Sequence, residues 1–314
     1  MNEITIRIPA TSANLGPGFD TLGLALGLYN TVTIRAYNGG DRVLVRGEGD
    51  GFLSCDERNI AYSSARKTFA LLELDVDFSL EMHNEIPLSR GLGSSAAARV
   101  GGIVAANEWA RAQANRVLDL HELLTLATQL EGHPDNAAAA LCGGLVASCM
   151  NGENAVAVQV PVAKWPQFAV WIPDEHLPTK QARAVVPTQL SRADAVFNIS
   201  RAALLVAAMT TGDWDALRIA LDDCIHQNQR APLIRGYEEI TRAAVGANAI
   251  GATLSGAGST ILLWCDDTSS NDTSSTRSSV ETAIRNVAQN GDFNGRFLWL
   301  EVDEVGARLV NSTA

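Results

Sequence analysis

Lysine is nearly absent from this chain: Lys67, Lys164 and Lys180 are the only three in 314 residues, and none follows a glycine. The pattern G-x-x-x-x-G-K-S/T is therefore missing, which excludes a Walker-type nucleotidase. No H-R-D triplet occurs, and Asp292-Phe293-Asn294 is not D-F-G, so the protein-kinase set is missing too. Positive charge is scarce, Lys+Arg 24 against Asp+Glu 35 for a net -11. Such a chain repels phosphate backbones and anionic lipid, and neither a nucleic-acid nor a membrane partner is expected. Long apolar runs are lacking. The stretch from Ala137 to Met150 is broken by Gly143, Gly144 and Ser148, short of the ~18 residues of a membrane span. The cysteines, Cys55, Cys142, Cys149, Cys224 and Cys265, are odd in number, scattered and never spaced C-x-x-C, which reads as reduced thiols in the cytoplasm. Met1-Asn2-Glu3-Ile4-Thr5-Ile6 has neither a basic stretch nor an apolar core, so no secretory signal is expected.

Apolar residues are plentiful, 46% of the chain, enough for the two domains that ~150 residues per domain implies. Period-two alternation predicts strands over Glu3 to Ile8, Asn30 to Ala36, Arg42 to Arg46 and Val76 to Met82. Spacings of three and four predict helices over Asn59 to Glu73, Ser95 to Ala112 and Leu118 to Leu130. Further on, strands are expected over Gly144 to Met150, Ala155 to Val160, Phe168 to Ile172, a pair within Ile250 to Cys265, and Arg296 to Val302. Helices are expected over Ala193 to Met209, Trp214 to Asp222, Arg235 to Ala247 and Ser278 to Gln289. Strands and helices mix without strict βαβ alternation, which favours α+β. Asn151-Gly152-Glu153-Asn154 and Pro161 interrupt the pattern, placing domains at 1–160 and 161–314. Asp266 to Ser279, almost all Asp, Ser, Thr and Asn, reads as a solvated loop.

The strongest motif is Pro87-Leu88-Ser89-Arg90-Gly91-Leu92-Gly93-Ser94-Ser95-Ala96-Ala97. Two glycines admit a ligand close to the backbone, and two serines open a helix whose free N–H groups and dipole favour an anion, best a phosphate. A loose G-x-G-x-x-A fits Gly91 to Ala96, but no acidic residue follows ~20 positions on, as a dinucleotide site requires. Gly251-Ala252-Thr253-Leu254-Ser255-Gly256-Ala257-Gly258-Ser259 is a second small-residue loop, suited by itself to a tight hairpin or to a cavity wall. Glu131-Gly132-His133-Pro134-Asp135-Asn136 precedes a small-residue helix, with Pro134 in its first turn. An acid there suits Mg2+ beside phosphate oxygens. A zinc site lacks further ligands. Pro9 to Asp20 sets Asn14 and Asp20 among glycines after the first strand, on a loop suited to an ammonium or hydroxyl group. Arg183 and Arg230 each stand in a short polar stretch, and an arginine fork matches carboxylates.

Taken together, P-A-T-S-A-N-L-G-P-G-F-D from Pro9, P-L-S-R-G-L-G-S-S-A-A from Pro87 and G-A-T-L-S-G-A-G-S from Gly251 resemble the GHMP kinase superfamily. The first motif, Glu131 to Asn136 and T-K-x-A-R from Thr179 point within it to the homoserine kinases. The resemblance implies a two-domain α+β fold, an N-terminal ribosomal-protein-S5-like domain and a C-terminal ferredoxin-like domain, with ATP-dependent phosphorylation of the side-chain hydroxyl of L-homoserine, on the route to threonine, between them. It implies that Pro87 to Ala97 embrace the ATP phosphates, with Ser95 and Glu131 on Mg2+ and Asn59 on the nucleoside side. Asn14 and Asp20 would take the amino end of homoserine, Arg183 and Arg230 its carboxylate, and His133, Ser255 and Gly256 would line that pocket. Asp135 and Asn136 would lie beside the acceptor hydroxyl, Asn136 where mevalonate kinase has an Asp. A homodimer is a further implication.

Overall fold

The computed structural model describes residues 3–266 and 273–313. Its first half runs β1 (Glu3–Asn14), β2 (Gly18–Ala36), β3 (Val43–Gly47), α1 (Ile60–Leu71), β4 (Phe78–Asn84), α2 (Ser94–Ala114), α3 (Leu120–Glu131), α4 (Asp135–Cys142), β5 (Leu145–Asn151) and β6 (Asn154–Gln159). The second half runs β7 (Gln167–Pro173), α5 (Thr179–Ala184), α6 (Arg192–Thr211), α7 (Trp214–Ala220), α8 (Gln227–Arg230), α9 (Tyr237–Gly246), β8 (Ala249–Leu254), β9 (Ile261–Cys265), α10 (Thr273–Gly291), β10 (Gly295–Leu300) and β11 (Arg308–Thr313).

Two sheets result, as an α+β chain requires. The first orders as β11-β1-β2-β4-β3, with β5 beside β2 and β6 beside β5. The second orders as β10-β7-β9-β8, all antiparallel. Numbered within that half, the strands lie 4-1-3-2 with helices between the first and second and between the third and fourth, the ferredoxin-like arrangement. The last strand leaves this half and pairs with β1, Glu3 opposite Thr313. No alternating apolar pattern in Arg308 to Thr313 announces it.

Burial explains where the strand pattern stops being readable. In β1 alternate residues are buried from Glu3 to Ile8, and from there to Asn14 every residue is buried. The strand passes from a half-solvated face into the seam between the sheets, and period two disappears although pairing continues. The segment Pro9 to Asn14 is thus strand rather than loop, and the turn shrinks to Leu15 to Pro17. Helix α2 is apolar nearly all round and lies inside, from Ala96 to Ala110. Pro134 occupies the N-cap of α4, one place before the expected first turn. The Ser/Thr-rich stretch is also corrected: Thr273 onward is helical, because Val280, Ile284 and Ala288 recur at four-residue spacing and pack with Ile240 and Leu263. Residues 267–272 lie outside the described residues.

Among the described helices one meets the length and apolarity of a membrane span: α6, with a mean hydropathy of 1.3. It packs through Leu205, Ala208 and Met209, and its buried Asn198 bonds to Asp223.

Candidate active site

The loop ahead of α2 is built to present N–H groups. Ser89, Gly91 and Gly93 all have positive φ, at 54°, 79° and 70°, the conformation that turns successive amides toward one concavity. Gly93 is the N-cap of α2 and supplies no side chain, whereas Asn59, Asp119, Ser191 and Asp213 cap α1, α3, α6 and α7. The first turn of α2 is therefore left open for an external acceptor.

Two distant segments meet at this loop. Ser255 Oγ donates to the Gly91 carbonyl at 2.7 Å, and the Thr260 amide to that of Arg90 at 3.1 Å. The Gly256 amide donates to Ala13 O at 3.0 Å and Thr11 N to Leu92 O at 3.1 Å. A Cβ on Gly91 would lie 2.2 Å from the Ser255 carbonyl oxygen, so glycine is required by contact as well as by φ.

Cavities open on either side. The larger, about 780 Å³, is lined by Glu48, Phe52, Asn59, Leu88 and His176 among others. The smaller, about 130 Å³, is lined by Asn14, Asp20, Glu131, His133, Asp135, Asn136, Arg183, Arg230 and Gly256. Ser89, Arg90, Ser94 and Ser95 border both.

Helix ends deliver the polar groups of the smaller cavity. Glu131 ends α3, and its Oε2 accepts from Ser95 Oγ at 2.8 Å and from Arg99 Nε at 2.7 Å. Asp135 opens α4, where its Oδ1 meets His133 Nδ1 at 2.6 Å and the Asn136 amide at 2.7 Å. Asn136 Oδ1 accepts from Thr11 Oγ1 at 2.8 Å. Asn14 holds the Asp20 amide through Oδ1 at 3.0 Å and donates to Gly256 O at 2.8 Å. Asp20 and Arg183 form a two-point ion pair at 2.7 and 3.1 Å.

Several expected ligand contacts are used internally. Asn59 borders the larger cavity, but its side chain caps Ala61 N and donates to Ser54 O. The Arg90 guanidinium donates to the carbonyls of Pro173 and Asp174 at 2.8 Å, tying the loop to the end of β7. Pro87, Leu92, Ala96 and Ala97 are buried behind the loop and line neither cavity, and Ser255 is buried with them. Arg99 and His226 join the site from outside every motif, and Thr11 joins it from within the first motif, where no role had been assigned to it. Arg99 stands four residues after Ser95 on α2, so helical spacing alone would have brought it to the same face. Nothing local in the sequence brings His226 here.

Known proteins resemble this chain over most of its length. A homoserine kinase of Moorella thermoacetica is 46% identical over 261 residues, 83% of this chain and 86% of that protein. The chain belongs to the homoserine kinase family. A family member from Clostridium beijerinckii is 37% identical across 99% of both chains. The family descriptions "GHMP kinases N terminal domain" and "GHMP kinases C terminal" match residues 59–144 and 205–292. The crystal structure of homoserine kinase from Cytophaga hutchinsonii superposes with a TM-score of 0.87 at 27% identity, covering 99% of this chain and 98% of that one.

In this homoserine kinase family member the two histidines near the site titrate in opposite directions. Burial holds His226 below its ordinary value, opposed by attraction from Asp223 and reinforced by Arg230. Burial also works against charging His133, but its bond to Asp135 and the attraction of that carboxylate outweigh burial and raise it. A histidine held low in the fold stabilises fully above its unfolded value of about 6.5 and loses that contribution as pH falls below it. One held high stabilises fully below about 6.5 and loses it as pH rises through its folded value. Urea unfolding at about pH 7.5 and about pH 5.5 is therefore expected to show His226→Asn less destabilising at the lower pH and His133→Asn more so. Differences from wild type that do not vary with pH would refute this assignment.

Proposed function

We propose that the smaller cavity takes L-homoserine and the larger one the nucleoside of ATP, with the phosphates lying along Ser89 to Ser95 between them. The observation that carries this reading is the loop that borders both cavities, with its uncapped helix start. The hydroxyl end of the acceptor would face Asp135 and Asn136, and its charged end Asn14, Asp20, Arg183 and Arg230. A volume near 130 Å³ suits a small amino acid.

The Asp20–Arg183 pair supports an amino-acid acceptor. Both side chains are about one-third exposed, 33% and 37%, and a pair so solvated is worth only ~0–1 kcal/mol. A zwitterion replaces it without changing the charge of the cavity, its ammonium taking Asp20 and its carboxylate Arg183. Arg183→Ala is expected to raise KM for L-homoserine roughly 10- to 100-fold, the loss of a charge-assisted hydrogen bond, with the KM for ATP nearly unchanged. An equal rise in both constants would count against this role.

Ser95 and Glu131 fit Mg2+. Their donor atoms are a hydroxyl and a carboxylate oxygen 2.8 Å apart, and adjacent ligands of an octahedral ion at ~2.1 Å lie about 3 Å from one another. Mg2+ held there supplies charge neutralisation for the phosphates.

Transfer then depends chiefly on alignment. The homoserine oxygen forms a bond to the γ-phosphorus, the bond from that phosphorus to ADP breaks, and the hydroxyl proton leaves late to a phosphate oxygen or water. Asn136 accepts no proton at neutral pH, and Asp135 already receives His133 and the Asn136 amide on Oδ1. Asp135 therefore orients the acceptor. Asp135→Asn is expected to retain measurable turnover, and complete loss with intact folding and substrate binding would show that a base is required.

The activity is tested by Mg2+-dependent ADP release with L-homoserine, mevalonate, galactose, L-serine or no acceptor. Release with L-homoserine alone supports the assignment, and release only with another acceptor would discard the amino-acid pocket while keeping the phosphate site.

A further inference from the structure

Behind the smaller cavity Arg230 is held by buried polar groups, His226 and Asp223 among them, that have no part in the assignments above. His226 is fully buried in front of α8. Its Nε2 meets the Gly16 carbonyl at 2.8 Å and its Nδ1 meets Arg230 Nη1 at 3.1 Å. A carbonyl only accepts and a guanidinium only donates, so the proton sits on Nε2 and the Nδ1 lone pair faces Arg230. Arg230 is itself 1% exposed, with Nε on Ala182 O at 3.0 Å and Nη1 also on Gly256 O at 3.1 Å. These three bonds use three of its five N–H groups and leave Nη2 uncommitted by any of them. Asp223 fixes the backbone beneath, accepting from the amides of Ile225, His226 and Gln227. The Phe19 ring completes the packing, 5.3 Å from the His226 ring and 5.3 Å from the Arg230 guanidinium carbon.

We propose that His226 is a positioning residue for carboxylate recognition: through its two ring nitrogens it locks the Arg230 guanidinium to the Gly16 tip of the β1–β2 turn. The strands flanking the turn carry Asn14 and Asp20 on either side of that tip, so one imidazole fixes the spacing between the groups that meet the ammonium and the group that meets the carboxylate. The inference rests on the reading of the smaller cavity as an amino-acid site. It asks more than burial does, since a histidine that only filled space would be replaceable by any side chain of similar size.

Two amides separate the nitrogens. Asn at 226 carries an acceptor where Nδ1 stood, and Gln a donor where Nε2 stood. His226→Gln is expected to raise KM for L-homoserine about tenfold, as loss of one hydrogen bond to a charged group implies, with kcat and the KM for ATP within about twofold. His226→Asn, which keeps the acceptor for Arg230 but loses the tie to Gly16, should recover part of that loss. Inhibition by 3-aminopropan-1-ol, which has the amine and hydroxyl of homoserine but no carboxylate, should be equal in wild type and His226→Gln. Arg230→Gln is the reference. If it raises KM for L-homoserine while His226→Gln does not, the positioning role is wrong and the pocket reading stands. If Arg230→Gln leaves that KM unchanged, the pocket reading fails and this inference with it. Equal losses in the Gln and Asn variants across every constant, with lowered melting temperatures, would reduce His226 to a structural residue and also overturn the proposal.

Discussion

Glu131→Gln is expected to lower kcat by roughly three orders of magnitude, about 4 kcal/mol of transition-state stabilisation, the scale attached to losing a metal clamp on transferring phosphoryl oxygens. The substitution is nearly isosteric. Its amide oxygen still accepts from Ser95 Oγ and Arg99 Nε, the two donors that Glu131 Oε2 satisfies, so the end of α3 should hold and the melting temperature should stay close to wild type. What disappears is the negative charge. The Arg99 guanidinium then faces an uncharged partner beside the phosphate loop, and the Mg2+ concentration giving half-maximal rate should rise together with the fall in kcat. Titration of initial rates with Mg2+ at saturating ATP and L-homoserine separates the readings. An unchanged Mg2+ requirement with a raised KM for L-homoserine would move Glu131 from the metal to the acceptor.

Gly93→Ala is expected to damage both stability and turnover. Its Cβ would lie 1.9 Å from Thr11 Oγ1 and 3.1 Å from Asn136 Oδ1, at a φ of +70°. Left-handed strain accounts for about 1–2 kcal/mol, and the broken Thr11–Asn136 bond in a packed site for about 1 kcal/mol more. Stability should therefore fall by ~2–3 kcal/mol, and kcat/KM for ATP by at least about 100-fold, because the first turn of α2 would be displaced from the phosphate position proposed above. Gly132 is the internal control. Its φ is +95° and a Cβ there would meet nothing within 4 Å, so Gly132→Ala should show only the conformational cost. Equal urea midpoints and equal kinetics for the two variants would refute the close-approach argument.

Much of this site is readable from one-dimensional pattern because glycine motifs are local: Gly91 to Ser95 needs its own φ values and a helix start, both encoded within a few residues. The ferredoxin-like half is legible through resemblance more than periodicity, since β8 and β9 are buried on both faces. Pairings between distant segments leave no such trace. Asp20 and Arg183 each look like a lone polar residue in sequence, and only the fold makes them partners across 163 positions. Asn59 and Arg90 show the converse, plausible ligand residues whose polar atoms are spent on a helix cap and on a tie to β7. Alternation fails beyond Ile8 for a third reason, burial of both faces of the strand.

The return of β11 to β1 sets an order of assembly. During synthesis β11 leaves the ribosome later than the other described elements of both sheets, so the first sheet keeps an unpaired edge at β1 until Arg308 to Thr313 emerge. The sheet whose strands are made first is thus closed only after the second sheet has been made, and its edge at β1 stays open until then.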